Sequence, residues 1–506
     1  MAYNDRDLKK WRRWSKPTLM VGKSVPTAAY ARDPKRRQPV WGLYVLVGAA
    51  VLLQIDTVAG QTDYIGQYLP FFQDLNTWLH TKGLPFSLAE MFMVLCLLIW
   101  SLRSLAAGSL NFDRGSLMWP LGLYMLMVTL GEVLGLVSGV DYRFSLWEIR
   151  AQVYMFVAYV LTCNVVQHRS QLNTLLWIIL IGGGLRAIEG TYRYVFIQRG
   201  SAYNELYPHE QAFFWNASIT TTLILLFYGG GSRWMKRIAV LLLPFMIFAT
   251  LVNNRRAAIL ALGVGIVVLL ILTLIAHPPG RRTAGLVLLV LALIGPPYYA
   301  IYQHQPGSIA MPARAIASNF TPDPRDASSN QDRVWEDKDI MATVKQSIVT
   351  QLIGTGFGKP MLQPFSLGDV ISAYPLEPYL PHNSILWVWM RMGTLGYIFL
   401  WFMIGTALMQ STRLLRRLTN PFLRGMALLV VLLVIQQVIF GYLDIGWTNY
   451  RNMIVIGMLF ALISRLSIFE GASDTSAPPL SELRARRRVR IPVSSTLAVV
   501  DGRLKR

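Results

Sequence analysis

Charge is scarce in this sequence. Charged residues make up 15% of its 506 positions, against roughly 25% in an ordinary soluble domain. A water-soluble globule of this length is therefore not expected. Cysteine is scarcer still, with two in all. Cys96 and Cys163 both fall inside apolar runs, which excludes a disulfide framework, and no metal-ligand spacing is present. A tandem repeat of fixed period is absent too. So is a cleavable signal peptide in the usual place: the first apolar run starts near Trp41, after a long basic tail, and is expected to stay as an anchor.

What the sequence has in abundance is apolar residues, 53% of the total, gathered in runs rather than scattered at core spacing. A bilayer is crossed by about 20 apolar residues in a helix. The runs predict helices over 41–55, 88–105, 117–137, 148–166, 172–188, 212–228, 238–252, 257–276 and 284–301. Three more start near Asn383, Leu423 and Asn452. The expected fold is an all-α polytopic membrane protein of about twelve transmembrane helices.

Basic residues outnumber acidic ones by 48 to 27, a formal net charge of +21. Such an excess invites a nucleic-acid reading, but its distribution argues against nucleic acid. Lys and Arg sit in clusters beside the apolar runs and in the two tails, as topology signals with attraction to anionic membrane lipid do. Lys9, Lys10, Arg12, Arg13, Lys35, Arg36 and Arg37 place the N-terminal tail in the cytoplasm. An even number of spans returns the C-terminal tail, with Arg484, Arg486, Arg487, Arg488 and Arg490, to the same side. The organisation expected is a basic cytoplasmic tail (1–40), helices 1–9 (41–301), one large loop (302–382), helices 10–12 (383–468) and a disordered cytoplasmic tail (469–506). The loop follows an odd number of spans and is expected outside. In a bacterial inner membrane that is the periplasm.

Arginines on the outer side break this pattern and are the first candidates for chemistry. Arg255 and Arg256 occupy a tight outer turn, Asn253-Asn254-Arg255-Arg256. Arg186, Arg193 and Arg199 lie in or near the preceding outer connection. Outward guanidiniums suit a phosphate or pyrophosphate, which Arg grips bidentately. The alternative is pairing with Glu189, Glu205 or Glu210, or with lipid headgroups. Glu132, inside the third predicted helix, calls for a partner or a proton relay. In the loop, Arg333-Val334-Trp335 precedes a helical stretch at 340–344. Gly354-Thr355-Gly356-Phe357-Gly358 follows, and glycines so spaced let backbone approach a ligand or surface closely. His382-Asn383 stands where the loop re-enters the membrane. A histidine there is either a helix cap or a catalytic group. Nine residues later comes Gly393-Thr394-Leu395-Gly396, small enough to let another helix pack close behind.

The pattern His382-Asn383, nine residues, Gly393-x-x-Gly396 resembles the signature of the O-antigen ligase and Wzy-type polysaccharide polymerase superfamily. Arg333-x-Trp335 and Gly354-x-Gly356-x-Gly358 are similar to the end of that family's large periplasmic loop. Asn254-Arg255-Arg256-Ala257 is similar to its Ser-Arg-Gly-Ala stretch, with Asn for Ser and Arg for Gly, which makes Arg255 and Arg256 both candidates for the family's arginine. The resemblance covers roughly 212–465. It implies a metal-independent, membrane-embedded glycosyltransferase with no cofactor. The donor it implies is an undecaprenyl-pyrophosphate-linked glycan, and the acceptor another glycan or a lipid A-core sugar. A chain-length regulator or flippase is the kind of protein partner it implies. Carried onto this sequence, His382, Arg255 and Arg333 are the catalytic candidates. Arg256, Arg186, Arg193, Asn383 and Gly356 are the substrate-binding ones. The physics agrees with the chemistry: Arg stabilises a leaving pyrophosphate, and an imidazole near neutrality takes a proton from a weakly nucleophilic hydroxyl.

A secondary transporter is the competing class, since twelve helices with both ends inside is a common transporter layout. Gly108 to Gly115 even resembles the facilitator superfamily's loop motif. That motif's spacing is one residue shorter, and a facilitator carries its long loop inside, between helices six and seven.

Overall fold

The computed structural model describes residues 39–53, 71–79, 85–108, 112–200, 206–318, 320–322, 324–365 and 378–476. Of the tails expected at 1–40 and 469–506, residues 1–38 and 477–506 lie outside the described residues, as does Glu205. Apart from one isolated bridge between Asp74 and Ser87, the described chain is helical. Its helices are α1 (Trp41–Leu52), α2 (Leu88–Ala106), α3 (Met118–Val137), α4 (Tyr142–Val165), α5 (Arg169–Tyr192) and α6 (Gln211–Phe227). Then come α7 (Arg233–Val252), α8 (Arg256–Ala276), α9 (Arg281–Tyr302), α10 (Met311–Ala317), α11 (Pro324–Val344) and α12 (Ile348–Ile353). The last three are α13 (Ser384–Arg417), α14 (Pro421–Leu443) and α15 (Tyr450–Ser476).

Among the described residues, nine helices are long and apolar enough to cross a membrane: α2, α3, α5, α7, α8, α9, α13, α14 and α15. Helices α1 and α6 are apolar but shorter, and α4 carries Arg143, Glu148, Arg150 and Gln152. Burial differs sharply among the nine. Helix α14 is buried nearly all round, from Phe422 to Gly441, as expected for a helix apolar on every face. In α9 only Ala284 is buried.

The segment between α9 and α13 folds by a rule that apolar periodicity does not reveal. A helical stretch is expected only at 340–344, yet α11 begins at Pro324. Its inward stripe is Glu336, Asp339, Ile340 and Thr343, all buried, spaced i, i+3, i+4, i+7 as one helix face must be. Three of the four are polar, and they bind the returning chain. Asp339 Oδ1 accepts from Phe365 N–H at 3.0 Å, Thr343 Oγ1 accepts from Leu362 N–H at 2.9 Å, and Glu336 accepts from His382.

Helix α13 is broken where the sequence offers its glycines. Gly393 has φ +64° in mid-helix, and a Cβ there would lie 2.4 Å from the Leu352–Ile353 backbone. The small residue admits α12, in the segment between α9 and α13. Gly354-Thr355-Gly356-Phe357-Gly358 likewise lies against protein. A Cβ on Gly356 would sit 2.5 Å from Gly135 N on α3, and one on Gly354 would sit 2.2 Å from Arg391 O. All three glycines of this strap have positive φ, a region open to glycine at little cost.

Candidate active site

The strap is fastened by a closed ion pair. Glu148 on α4 and Arg391 on α13 meet at 2.5 Å with both side chains wholly buried. Glu148 Oε2 also accepts from Gly358 N–H at 2.6 Å, and Arg391 donates to the carbonyls of Lys359 and Tyr379. The segment between α9 and α13 is thereby pinned to α13 within nine residues of His382.

His382 precedes the cap of α13. Asn383 caps that helix by accepting from Leu386 N–H at 3.1 Å, and its Nδ2 donates to Asp337 Oδ1 on α11 at 3.1 Å. Glu336, one residue before Asp337, holds the histidine itself. It accepts from the His382 backbone N–H at 3.2 Å and lies 2.9 Å from ring Nδ1. The carboxylate is 3% exposed and the imidazole 38%, so the base is shielded and the ring is open. An Nδ1–H committed to a carboxylate leaves Nε2 as the nitrogen with a free lone pair. Burial pulls the imidazole pKa down, but the Glu336 hydrogen bond and the charges of Glu336 and Asp444 outweigh it, and His382 titrates above the usual histidine range. Asp337 is also raised, by burial and by Glu336, against the opposing Asn383 bond and Arg333 charge.

A second histidine faces the first. His209, just before α6, has its ring centroid 6.1 Å from that of His382. Its Nδ1 lies 2.6 Å from Oδ2 of Asp444, which follows α14; the carboxylate is 2% exposed and the ring 25%. Burial alone would raise Asp444, but His209, His382 and Arg333 together hold it well below the ordinary carboxylate range. Ser384 ties the two halves, donating Oγ–H to the Asp444 carbonyl at 3.0 Å. Arg333, on α11 one turn before Asp337, lies within electrostatic reach of Asp337, His382 and Asp444.

The structure therefore brings together His382, Asn383 and Arg333 of the expected residues. Arg255 and Arg256 stand at the start of α8, where Ala257 and Ala258 pack with Ala212 and Phe440, near the His209 and Asp444 ends of α6 and α14. Arg186 and Arg193 lie in a different knot. Both are buried and both reach Glu189, at 2.8 and 3.7 Å. They flank the Tyr207 ring at 5.5 and 4.8 Å. This is the acid-pairing alternative left open by the sequence. Glu132 has a partner as well, Ser145 Oγ at 2.8 Å. Gly356 is a packing residue of the strap.

Asp337-Lys338-Asp339 has Asp-x-Asp spacing, but residues two apart on a helix diverge. Asp337 goes to Asn383 and Asp339 to Phe365. Among the described residues no group of three or more His, Cys, Asp or Glu is arranged to hold a metal ion.

Fold and site together define a multi-pass helical membrane protein with a histidine–carboxylate centre beside arginines. Comparison with known families makes that class specific: residues 238–401 match the model of the O-antigen ligase family. The resemblance carried by the His382 motif thus holds, and this part of the chain is similar to O-antigen ligases. The match takes in Arg255, Arg333, Gly356, His382 and Asn383 and leaves out His209 and Asp444. No curated protein matches the chain.

Proposed function

We propose that the protein is a membrane-embedded glycosyltransferase that moves a glycan from a lipid pyrophosphate, of the undecaprenyl type, to a glycan or lipid A-core acceptor. The observation that carries this reading is the His382–Glu336 pair beside Arg333, inside the segment matched to the O-antigen ligase family. His382 Nε2 takes the acceptor hydroxyl proton, Glu336 orients and stabilises the ring, and Arg333 with Arg255 or Arg256 neutralises the leaving pyrophosphate. The reaction needs no metal in this reading.

The three additional helices α1, α4 and α6 complete a twelve-span layout. Both termini are then cytoplasmic and the centre faces the periplasm of a bacterial inner membrane. A lipid-linked donor belongs at such a boundary, because its pyrophosphate lies in the headgroup plane. Ligation to a core sugar and polymerisation of repeat units use the same centre, and a flippase or chain-length regulator would work beside it. A transporter would not require two buried carboxylates each backing an open imidazole.

The test is transfer in proteoliposomes from an undecaprenyl-pyrophosphate-linked glycan to acceptor. Wild-type protein should form product, and His382→Ala should lose about 10²- to 10⁴-fold in turnover, the usual contribution of a general base. Undiminished transfer by His382→Ala would remove the reading.

A further inference from the structure

The reaction just proposed uses one histidine, yet the centre holds two of the same construction. His209 has a buried carboxylate on Nδ1 and a partly open ring, like His382, so in each ring Nε2 is the nitrogen left for chemistry. A brace between α6 and α14 would explain the pair only if that corner lacked other ties, and it has several. Tyr207 N–H donates to Asn253 Oδ1 at 2.9 Å. Arg451 holds both Glu210 and Gln211, at 3.3 and 3.0 Å, and donates to Ala50 O at 2.8 Å. Burying the Asp444 carboxylate is costly unless it is paired, and its partner is a ring left open on its other side.

Spacing gives the second ring a use. The centroids are 6.1 Å apart, about twice a hydrogen-bond length, so the two rings are close enough to serve one substrate. Ser384 bonds Asp444 and follows His382 by two residues, so the distance between the rings is fixed by the fold. The charged and titratable groups facing His209 are Asp444 after α14 and His382 before α13, and Arg333 on α11 lies within electrostatic reach of both of these. Glu210 is committed to Arg451.

We propose that His209 is a second catalytic residue, the proton donor to the leaving pyrophosphate, oriented by Asp444 while His382 serves the acceptor. This rests on the transfer reading above. The acceptor oxygen forms a bond to the anomeric carbon, and its proton passes to His382 Nε2. The bond from that carbon to the pyrophosphate oxygen breaks, the electron pair stays on the oxygen, and the His209 Nε2–H proton goes to it. One proton enters the protein and one leaves it, and exchange with water returns both rings to their starting forms. His209 works as an imidazolium, between the Asp444 carboxylate and the arriving pyrophosphate.

The experiment is the pH dependence of transfer by the full chain in proteoliposomes with the undecaprenyl-pyrophosphate donor. It compares wild type with His209→Gln, Asp444→Asn and His382→Ala. The wild-type profile should be bell-shaped, because turnover needs one ring without its Nε2 proton and the other with it. His209→Gln should lose about 10²-fold in turnover and one limb of the bell, with donor KM little changed. Asp444→Asn removes the carboxylate that holds Nδ1 of His209, so the loss should fall on turnover, with donor KM and Tm near wild type; a merely structural role would lower Tm instead. This variant decides the matter if His209→Gln does not fold. Wild-type turnover with both limbs intact in His209→Gln overturns the proposal, as does wild-type turnover in Asp444→Asn. If His382→Ala remains inactive, those results leave the transfer reading standing; an active His382→Ala sinks the transfer reading itself.

Discussion

Two charged clusters lie on the same helix and are built differently. Eight residues into α13, Arg391 meets Glu148 with both side chains wholly buried, and the pair also bonds backbone at Gly358, Lys359 and Tyr379. Just before the same helix, His382 meets Glu336 with the acid buried and the ring 38% exposed. In the first cluster the charges answer one another and nothing remains for a substrate. In the second the acid is hidden and the reactive edge is presented. A buried charge pair is weak evidence for chemistry, because geometry can hold it for structure alone. A half-open pair, with one nitrogen satisfied and one facing outward, is the arrangement that proton transfer needs. The Arg186–Glu189–Arg193 knot belongs with the first kind.

The comparison breaks most readily at Arg391. Arg391→Met leaves Glu148 buried without its counter-charge and should lower stability by about 3 to 5 kcal/mol, read as a lower Tm in detergent. Adding Glu148→Gln should recover much of the loss. An unchanged Tm in the single variant would mean that the closed cluster is not scaffold.

Arg333 tests the open side. Arg333→Ala should leave Tm near wild type and slow transfer by roughly 30- to 1,000-fold, about 2 to 4 kcal/mol of charge stabilisation. Lys should rescue it poorly, since it lacks the bidentate fork. Arg255→Ala is expected to follow the same pattern. Full activity in both Ala variants would shift the phosphate role elsewhere.

Gly356→Ala puts a Cβ 2.5 Å from Gly135 N at φ +79°. It should cost about 1 to 3 kcal/mol through overpacking and backbone strain, visible by Tm before any change in transfer. A smaller effect separates Glu336 from the ring it holds. Glu336 raises the His382 pKa, and the base works deprotonated, so activity rises with pH through that raised value. Glu336→Gln should therefore move the acid limb of the rate profile to lower pH and reduce the plateau. A limb that moves up, or stays, contradicts the pairing.

Much of this was readable before the fold. The apolar runs locate the long helices because bilayer length and helix rise leave little freedom, and α13 starts one residue after the expected Asn383. His382 and Arg333 were found by motif. Glu336, Asp444 and His209 were not, because the pairing joins positions 209, 336, 382 and 444 that no local pattern links. A signal did exist for Glu336: it opens the stripe shared with Asp339 and Thr343, but polar residues at helical spacing read as a solvated face. Glycine spacing in the strap points to a close approach to a ligand or a surface; in the structure Gly354 and Gly356 lie against backbone of α13 and α3. Arg186 and Arg193 showed charge on an unexpected side without showing whether Glu189 answered it.

The most direct measurement compares turnover with donor affinity in His382→Gln, using purified full chain and the undecaprenyl-pyrophosphate donor. Gln keeps hydrogen-bonding capacity and cannot take the proton. If the open pair is a base, turnover should fall about 10²- to 10⁴-fold with donor KM nearly unchanged. Near-wild-type turnover with weakened donor affinity would make His382 a binding residue and contradict the account.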